Sequence, residues 1–202
     1  MKNVPNILTI LRLLACPLLI FMFTRKTLFE IDYVPIFIIF VLASLTDFFD
    51  GYLAKKGNFK SNFGKVLDPI ADKALIVTMC IMILNENDLK IEGLHAIPLY
   101  IIILREIIVL CLRLNLSKLN KNIDVNLLSK YKTFIQILTI AIILIIEMFP
   151  YSVLHERLGP MRYHPYDLYY ILESIKYFML WLAAFITFIT GVQHFKTYKK
   201  LK

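Results

Sequence analysis

Long apolar stretches separated by short polar segments dominate this chain. Six of them are each close to the ~20 residues that a helix needs to cross a bilayer. They cover residues 7–24, 34–54, 66–84, 97–116, 129–149 and 170–192. Short connections between them favour antiparallel packing of consecutive helices. The pattern therefore predicts an all-α fold, a polytopic membrane protein with six transmembrane helices in a single domain over residues 1–202.

The composition supports a membrane protein. The chain is 58% hydrophobic, with a mean hydropathy of +0.67, which is too apolar for an ordinary soluble domain. The three cysteines have no paired spacing, so neither a disulfide framework nor a zinc site is expected. The net charge of +8 would suit nucleic acid, but in so apolar a chain it indicates anionic lipid headgroups. We therefore expect membrane lipids, and no nucleic acid, as partners.

Lysine and arginine are unevenly distributed between the two sets of helix ends. The N-terminus, residues 55–65, residues 113–132 and the C-terminal tail carry fourteen of them, and the opposite ends carry five. Since cytoplasmic loops are enriched in these residues, this asymmetry predicts that both termini lie in the cytoplasm. The apolar run 7–23 has no small-residue cleavage signature, and we interpret it as a retained first helix rather than a signal peptide.

Four aspartates interrupt the apolar pattern at the facing ends of the second and third predicted helices. Asp47 and Asp50 are three residues apart, and Asp68 and Asp72 are four apart, so each pair lies on one helix face. Carboxylates within a membrane are costly unless they face an interior cavity and meet cations. Four carboxylates suit two Mg²⁺ or Mn²⁺ ions better than zinc. A cation-transport site, or helix-end charges neutralised by neighbouring lysines, are the alternatives.

The complete motif resembles the signature of the CDP-alcohol phosphotransferase family. Residues 47–72 follow the pattern Asp-x2-Asp-Gly-x2-Ala-Lys-x8-Gly-x3-Asp-x3-Asp. Members of that family transfer a phosphatidyl or related group from a CDP-linked donor to an alcohol. This sequence departs from the family pattern at Lys55, where arginine is usual; lysine keeps the charge but loses the bidentate fork for phosphate.

The resemblance implies a role for each position of the motif. Asp47, Asp50 and Asp68 would hold two metal ions, and Asp72 would be the catalytic general base and a further carboxylate of the metal centre. The residues implied to bind the CDP group are Gly51, Ala54, Lys55 and Gly64. The resemblance also implies a homodimer.

A second group of charged residues lies on the fourth and fifth predicted helices. Arg105 is near the middle of helix four and Arg113 near its cytoplasmic end, while Lys130 and Lys132 open helix five. If they face the aspartates, these cations would bind a second anionic group, such as the phosphate of a phosphorylated alcohol. The alternatives are snorkelling for Lys130 and Arg113 and an interior salt bridge for Arg105.

These two stretches resemble the bacterial phosphatidylglycerophosphate synthases within the family, although Leu114 stands where a glutamate is frequent. The resemblance implies CDP-diacylglycerol as the donor and sn-glycerol 3-phosphate as the acceptor, at a site facing the cytoplasm from a bacterial inner membrane. A cardiolipin synthase of the same family, with phosphatidylglycerol as acceptor, is the nearest enzyme alternative. A small cation transporter is the alternative from another class.

The remaining polar residues are interpreted as structural. Glu173 and Lys176 are three residues apart and predict a local ion pair near the outer end of helix six. Glu147 is interpreted as a helix-end charge. Three of the four histidines fall on the outer side, so a histidine base is not expected. They are His95, His155 and His164.

Overall fold

The described residues form six α-helices. The computed structural model describes the backbone of residues 4–29, 33–56, 62–86, 89, 91–118, 127–148 and 165–201, and the side chains of residues 9–25, 33–46, 70–86, 89, 91–116, 128–148 and 170–200. The helices are α1 Val4–Phe29, α2 Tyr33–Lys56, α3 Asn62–Asn85, α4 Ile97–Lys118, α5 Leu127–Glu147 and α6 Pro165–Leu201. No strand occurs within these ranges, which confirms the predicted all-α class and the six helices.

The helices extend beyond the apolar stretches from which they were predicted. α6 has 37 residues, because its basic C-terminal segment continues the helix past the predicted end at residue 192. Likewise, α2 continues through its acidic end as far as Lys56, and α3 begins at Asn62. Hydropathy marks the apolar part of each helix and does not detect a polar extension.

The packing of the six helices closes a ring. α1 lies against α2 and α3, α4 joins α3 to α6, and α5 joins α6 to α2. The interior is filled by apolar side chains such as Leu19, Phe40, Met79, Leu99 and Ile143, all with no exposed surface. Within the described ranges, α4 and α5 pack mainly on α6 rather than on each other. The predicted antiparallel packing of consecutive helices is therefore wrong for this pair, and within the same ranges α2 and α3 also pack on α1 far more than on each other.

Large apolar side chains also cover much of the outer surface. Leu42, Leu104, Phe134 and Phe178 are each 59% or more exposed, and many other large apolar side chains of the described helices are exposed as well. By length and composition, two described segments are able to cross a membrane, Leu128–Glu147 and Tyr170–Lys200. Tyr33–Thr46 is a shorter apolar segment. Both the exposed surface and these helices are consistent with a membrane protein.

A buried lysine contacts three segments at the end of the bundle that the sequence predicts to lie on the outer side of the membrane. Lys176 has no exposed surface and donates hydrogen bonds to Glu173 at 2.7 Å, to Glu147 at 3.1 Å and to the carbonyl of Leu89 at 3.0 Å. The predicted Glu173–Lys176 ion pair is present. Glu147 ends α5 as expected, but it is more than a helix-end charge, because it pairs with a cation on α6.

Candidate active site

The acidic motif is carried by two helices. Asp47, Asp50, Gly51, Ala54 and Lys55 lie on α2. Gly64, Asp68 and Asp72 lie on α3. The helical spacing inferred for each aspartate pair therefore holds, since both pairs lie within continuous helix. Of these eight residues only Asp72 has a described side chain, and the roles predicted for all eight stay predictions.

Asp72 is held by an arginine from the first helix. Arg12 of α1 donates from Nη1 to Asp72 Oδ1 at 2.5 Å. Its other nitrogens lie near α2, with Nη2 3.5 Å from Thr46 Oγ1 and Nε 3.4 Å from the carbonyl oxygen of Ala43. The Arg12 side chain is 2% exposed and that of Asp72 is 31% exposed. Arg12 of α1 thus contacts both α3, which carries the predicted base, and α2.

A buried carboxylate lies at the centre of the second charged group. Glu106 of α4 has no exposed surface. It accepts hydrogen bonds from Lys132 Nζ of α5 and from Arg105 Nη1, the latter at 3.3 and 3.4 Å. Lys73 Nζ of α3 lies 3.6 Å from Glu106 Oε2. Two of the four predicted acceptor residues, Arg105 and Lys132, are therefore brought together, and both pair with a carboxylate.

Neutral polar residues of α5 and α6 complete this cluster. Gln136 donates from Nε2 to Glu106 Oε1 and to Thr187 Oγ1, each at 3.0 Å. Arg105 Nη2 donates to Thr190 Oγ1, also at 3.0 Å. All of these side chains are buried. A buried charge needs such partners, because an unpaired one would carry a large desolvation cost.

Arg113 and Lys130 differ in their placement. Arg113 is partly buried, and no acceptor within the described part of the chain bonds its Nε. The nearby ring of α6, that of His194, is bonded to Ser129 of α5 at 2.9 Å. Lys130 is exposed and is not brought into the cluster. Its predicted part in binding an acceptor phosphate is thus without structural support.

The backbone of α2 and α3 agrees with the predicted metal centre. α2 and α3 carry the four aspartates at helical spacings, and carboxylate oxygens are the donors that Mg²⁺ and Mn²⁺ prefer. Among the described side chains no group of three or more potential metal ligands occurs, and three of the four aspartates lie outside that set. The metal centre therefore remains a proposal.

Sequence reasoning missed several residues of the cluster. Sequence reasoning assigns no role to Glu106, although an interior salt bridge is one of the alternatives considered for its neighbour Arg105. Gln136 lies four residues after Lys132, and Thr187 lies three residues before Thr190, so each pair shares a helix face. These spacings of polar residues within apolar helices were the available signal. Nothing in the sequence indicated that α6 would reach Arg105.

Comparison with known proteins defines the class of the chain. The model of the family described as CDP-alcohol phosphatidyltransferase matches residues 2–189. The chain therefore belongs to the CDP-alcohol phosphatidyltransferase family, and the resemblance found in its acidic motif is confirmed.

Three individual relatives match this chain over nearly its whole length. A Rickettsia bellii protein is 38% identical over 199 residues, which cover 98% of this chain and 97% of its own length. A Rickettsia typhi protein is 37% identical over 199 residues, covering 98% of both chains. A Bacillus subtilis protein is 33% identical over 215 residues, covering 100% of this chain and 98% of its own. All three are named CDP-diacylglycerol–glycerol-3-phosphate 3-phosphatidyltransferase.

Proposed function

We propose that this protein transfers a phosphatidyl group from CDP-diacylglycerol to sn-glycerol 3-phosphate, giving phosphatidylglycerol phosphate and CMP. The relatives that match along their whole length carry the name of this reaction. The structural observation that carries the proposal is the buried cation cluster of α3, α4 and α5, whose Lys73 directly follows the predicted base Asp72 on α3. An acceptor with a phosphate group needs such a cluster, whereas a neutral alcohol does not.

Two guanidinium groups in this region still have hydrogen-bonding capacity. Within the described ranges, neither Arg105 Nε nor Arg113 Nε has an acceptor, although both atoms are buried. A buried donor without a partner is costly, and an incoming phosphate oxygen would relieve that cost. We therefore assign the phosphate of the acceptor to Arg105, Arg113 and Lys132.

The proposed chemistry begins with Asp72 on α3. Asp72, oriented by Arg12, takes the proton of the acceptor hydroxyl as its oxygen attacks the phosphorus that carries diacylglycerol. The new oxygen–phosphorus bond forms as the bond to CMP breaks. Asp47, Asp50, Asp68 and Asp72 would hold two Mg²⁺ or Mn²⁺ ions, which neutralise the pyrophosphate and the departing CMP when bound. We place the cytidine beside Gly51, Ala54, Lys55 and Gly64.

The proposed setting is a bacterial inner membrane crossed by all six helices. The exposed apolar surface and the two long apolar helices support this. The charge asymmetry of the sequence supports cytoplasmic termini and an active site that opens to the cytoplasm. A homodimer, implied by the family, completes the proposal.

A comparison of acceptors tests the proposed function. Purified protein in lipid nanodiscs with Mg²⁺ and CDP-diacylglycerol is expected to release CMP when glycerol 3-phosphate is added. Release only with phosphatidylglycerol would assign the protein to the cardiolipin synthase alternative. No release with any alcohol acceptor would remove the enzyme assignment and favour the transporter.

A single substitution tests the acceptor pocket. Lys132→Ala is expected to raise the apparent KM for glycerol 3-phosphate by about tenfold or more, because one charge-assisted hydrogen bond to phosphate is lost. Lys199→Ala, which removes an exposed lysine near the end of α6, is the matched control and is expected to change neither KM. An unchanged acceptor KM in Lys132→Ala would contradict the pocket.

A further inference from the structure

Glu106 is an acidic group at the centre of a pocket that we propose for an anion. It is wholly buried, and it contacts cations from three different helices: Lys73 of α3, Arg105 of α4 and Lys132 of α5. A carboxylate in an anion site opposes binding by simple charge repulsion. Glu106 must therefore also favour binding of the anion in some other way that outweighs this repulsion.

Glu106 favours anion binding by holding three cations close together. Lys73, Arg105 and Lys132 carry three like charges and converge on one carboxylate in the protein interior. Without a shared anion they would repel one another strongly at low dielectric. Glu106 holds all three at one location before any substrate arrives, which lowers the cost of ordering them on binding.

The charge of the contacting groups also matches a phosphate monoester. Three cations and one carboxylate leave a net charge of two positive units among the groups in direct contact with Glu106, and Arg113, which we assign to the same phosphate, adds a further positive charge. A phosphate monoester carries about −1.5 to −2 near pH 7, whereas a phosphodiester carries a single negative charge. The cluster is thus better matched to glycerol 3-phosphate than to the phosphodiester of phosphatidylglycerol.

Helix α6 fixes Arg105 from the opposite side. Thr190 accepts a hydrogen bond from Arg105 Nη2 at 3.0 Å. A Cβ atom at Gly191 would lie 3.0 Å from Arg105 Cγ, which is tighter than ordinary contact, and 3.5 Å from Arg105 Nε. The absence of a side chain at position 191 therefore makes room for the stem of Arg105 as it crosses α6.

We infer that Glu106 is a positioning residue for the acceptor: it gathers Lys73, Arg105 and Lys132 into one preformed phosphate site and sets the charge of that site to suit a monoester. Gly191 supports the same arrangement by admitting Arg105. This inference rests on the proposed function, because it names how the acceptor of that reaction is recognised. Neither residue touches the reacting atoms.

The test compares two replacements of Glu106 in the full-length protein in nanodiscs. Glu106→Gln keeps the shape and removes the charge, and it is expected to raise the KM for glycerol 3-phosphate by about tenfold while the KM for CDP-diacylglycerol stays within about twofold. Glu106→Asp keeps the charge and is expected to raise the acceptor KM by only about threefold. Partial rescue by aspartate separates positioning by charge from packing.

Glu173→Gln is the matched control, because it also removes a carboxylate from a buried lysine, Lys176, but at the other end of the bundle. It is expected to lower the thermal stability and leave both KM values unchanged. Gly191→Ala is the second probe and is expected to raise the acceptor KM selectively, because the added methyl group displaces Arg105.

The outcomes separate this inference from the proposed function. If the unchanged protein releases no CMP with glycerol 3-phosphate, the proposed function fails. If it is active and Glu106→Gln leaves the acceptor KM unchanged, or raises both KM values equally, the positioning role is overturned and the function stands. Should Glu106→Gln not fold, Glu106→Asp and Gly191→Ala decide, and an unchanged acceptor KM in both would also overturn the inference.

Discussion

Replacing Arg12 by alanine is expected to slow phosphatidyl transfer by about 30-fold, with the apparent KM for glycerol 3-phosphate unchanged. Arg12 holds the carboxylate of Asp72 through a 2.5 Å hydrogen bond from Nη1 and makes no described contact with Glu106, Arg105 or Lys132. Loss of this bond would remove the contact with Arg12 that orients the proposed base toward the acceptor hydroxyl. The acceptor phosphate site would remain in place.

The magnitude follows mainly from the hydrogen bond between Arg12 and Asp72. A hydrogen bond between charged groups contributes about 1.5–3 kcal/mol. The Asp72 side chain is 31% exposed, so solvent screening reduces the contribution, and about 2 kcal/mol is a reasonable value. The contacts to Ala43 and Thr46, at 3.4 and 3.5 Å, are at the limit for hydrogen bonds and add little. Since 1.36 kcal/mol is a factor of ten in rate, about 2 kcal/mol gives about 30-fold.

The assay is the initial rate of CMP release in nanodiscs at saturating donor and varied glycerol 3-phosphate, with thermal unfolding measured on the same samples. Arg25→Ala is the matched control, because it removes an arginine from the same helix at the end where it stacks over the ring of Phe21. It is expected to leave the rate unchanged. A full rate for Arg12→Ala with a lowered unfolding temperature would show that Arg12 is only a structural tie between helices.

Three further predictions concern other parts of the molecule. Asp72→Asn is expected to lower turnover by about 100-fold or more while CDP-diacylglycerol still binds, because the proton acceptor is removed; full turnover would refute the assignment of the base. Removal of divalent ions with EDTA is expected to abolish CMP release and added Mg²⁺ to restore it, and release in EDTA would contradict the metal centre. Lys176→Met is expected to destabilise the fold by about 3 kcal/mol, because the buried Glu173 and the partly buried Glu147 lose their cation; thermal unfolding measures this, and an unchanged midpoint would contradict the interior role of Lys176.

The sequence predicted the helical class, the six helices and the family well, and the physical reasons are local. Apolar stretches of membrane length indicate helices directly, because hydropathy and backbone hydrogen bonding in lipid leave few other structures. The spacing of the four aspartates also lies within single helices, so the helical period alone places Asp47 with Asp50 and Asp68 with Asp72.

The arrangement of helices around the site was not accessible in the same way. Short connections favoured α4 beside α5, but the long helix α6 lies against both. The approach of Thr190 and Gly191 to Arg105 joins residues that are about 85 positions apart in the sequence. Periodicity along one helix carries no information about such a contact, which depends on the packing of the whole ring.

The sequence showed which charged residues belong to the site more readily than it showed which residues they pair with. Arg105 and Lys132 were predicted to face an anionic ligand, and an interior carboxylate was weighed for Arg105; the structure places both against Glu106. Adjacent residues on a helix normally point in different directions. Only the length of the arginine side chain lets Arg105 reach its own neighbour while it also bonds Thr190.

The identity of the lipid product tests the central claim most directly. Purified protein with Mg²⁺, CDP-diacylglycerol and isotopically labelled glycerol 3-phosphate is analysed by mass spectrometry of the extracted lipids. The account predicts labelled phosphatidylglycerol phosphate in amounts equal to the CMP released. Release of CMP without label in the lipid fraction, or labelled lipid that does not depend on CDP-diacylglycerol, would contradict it.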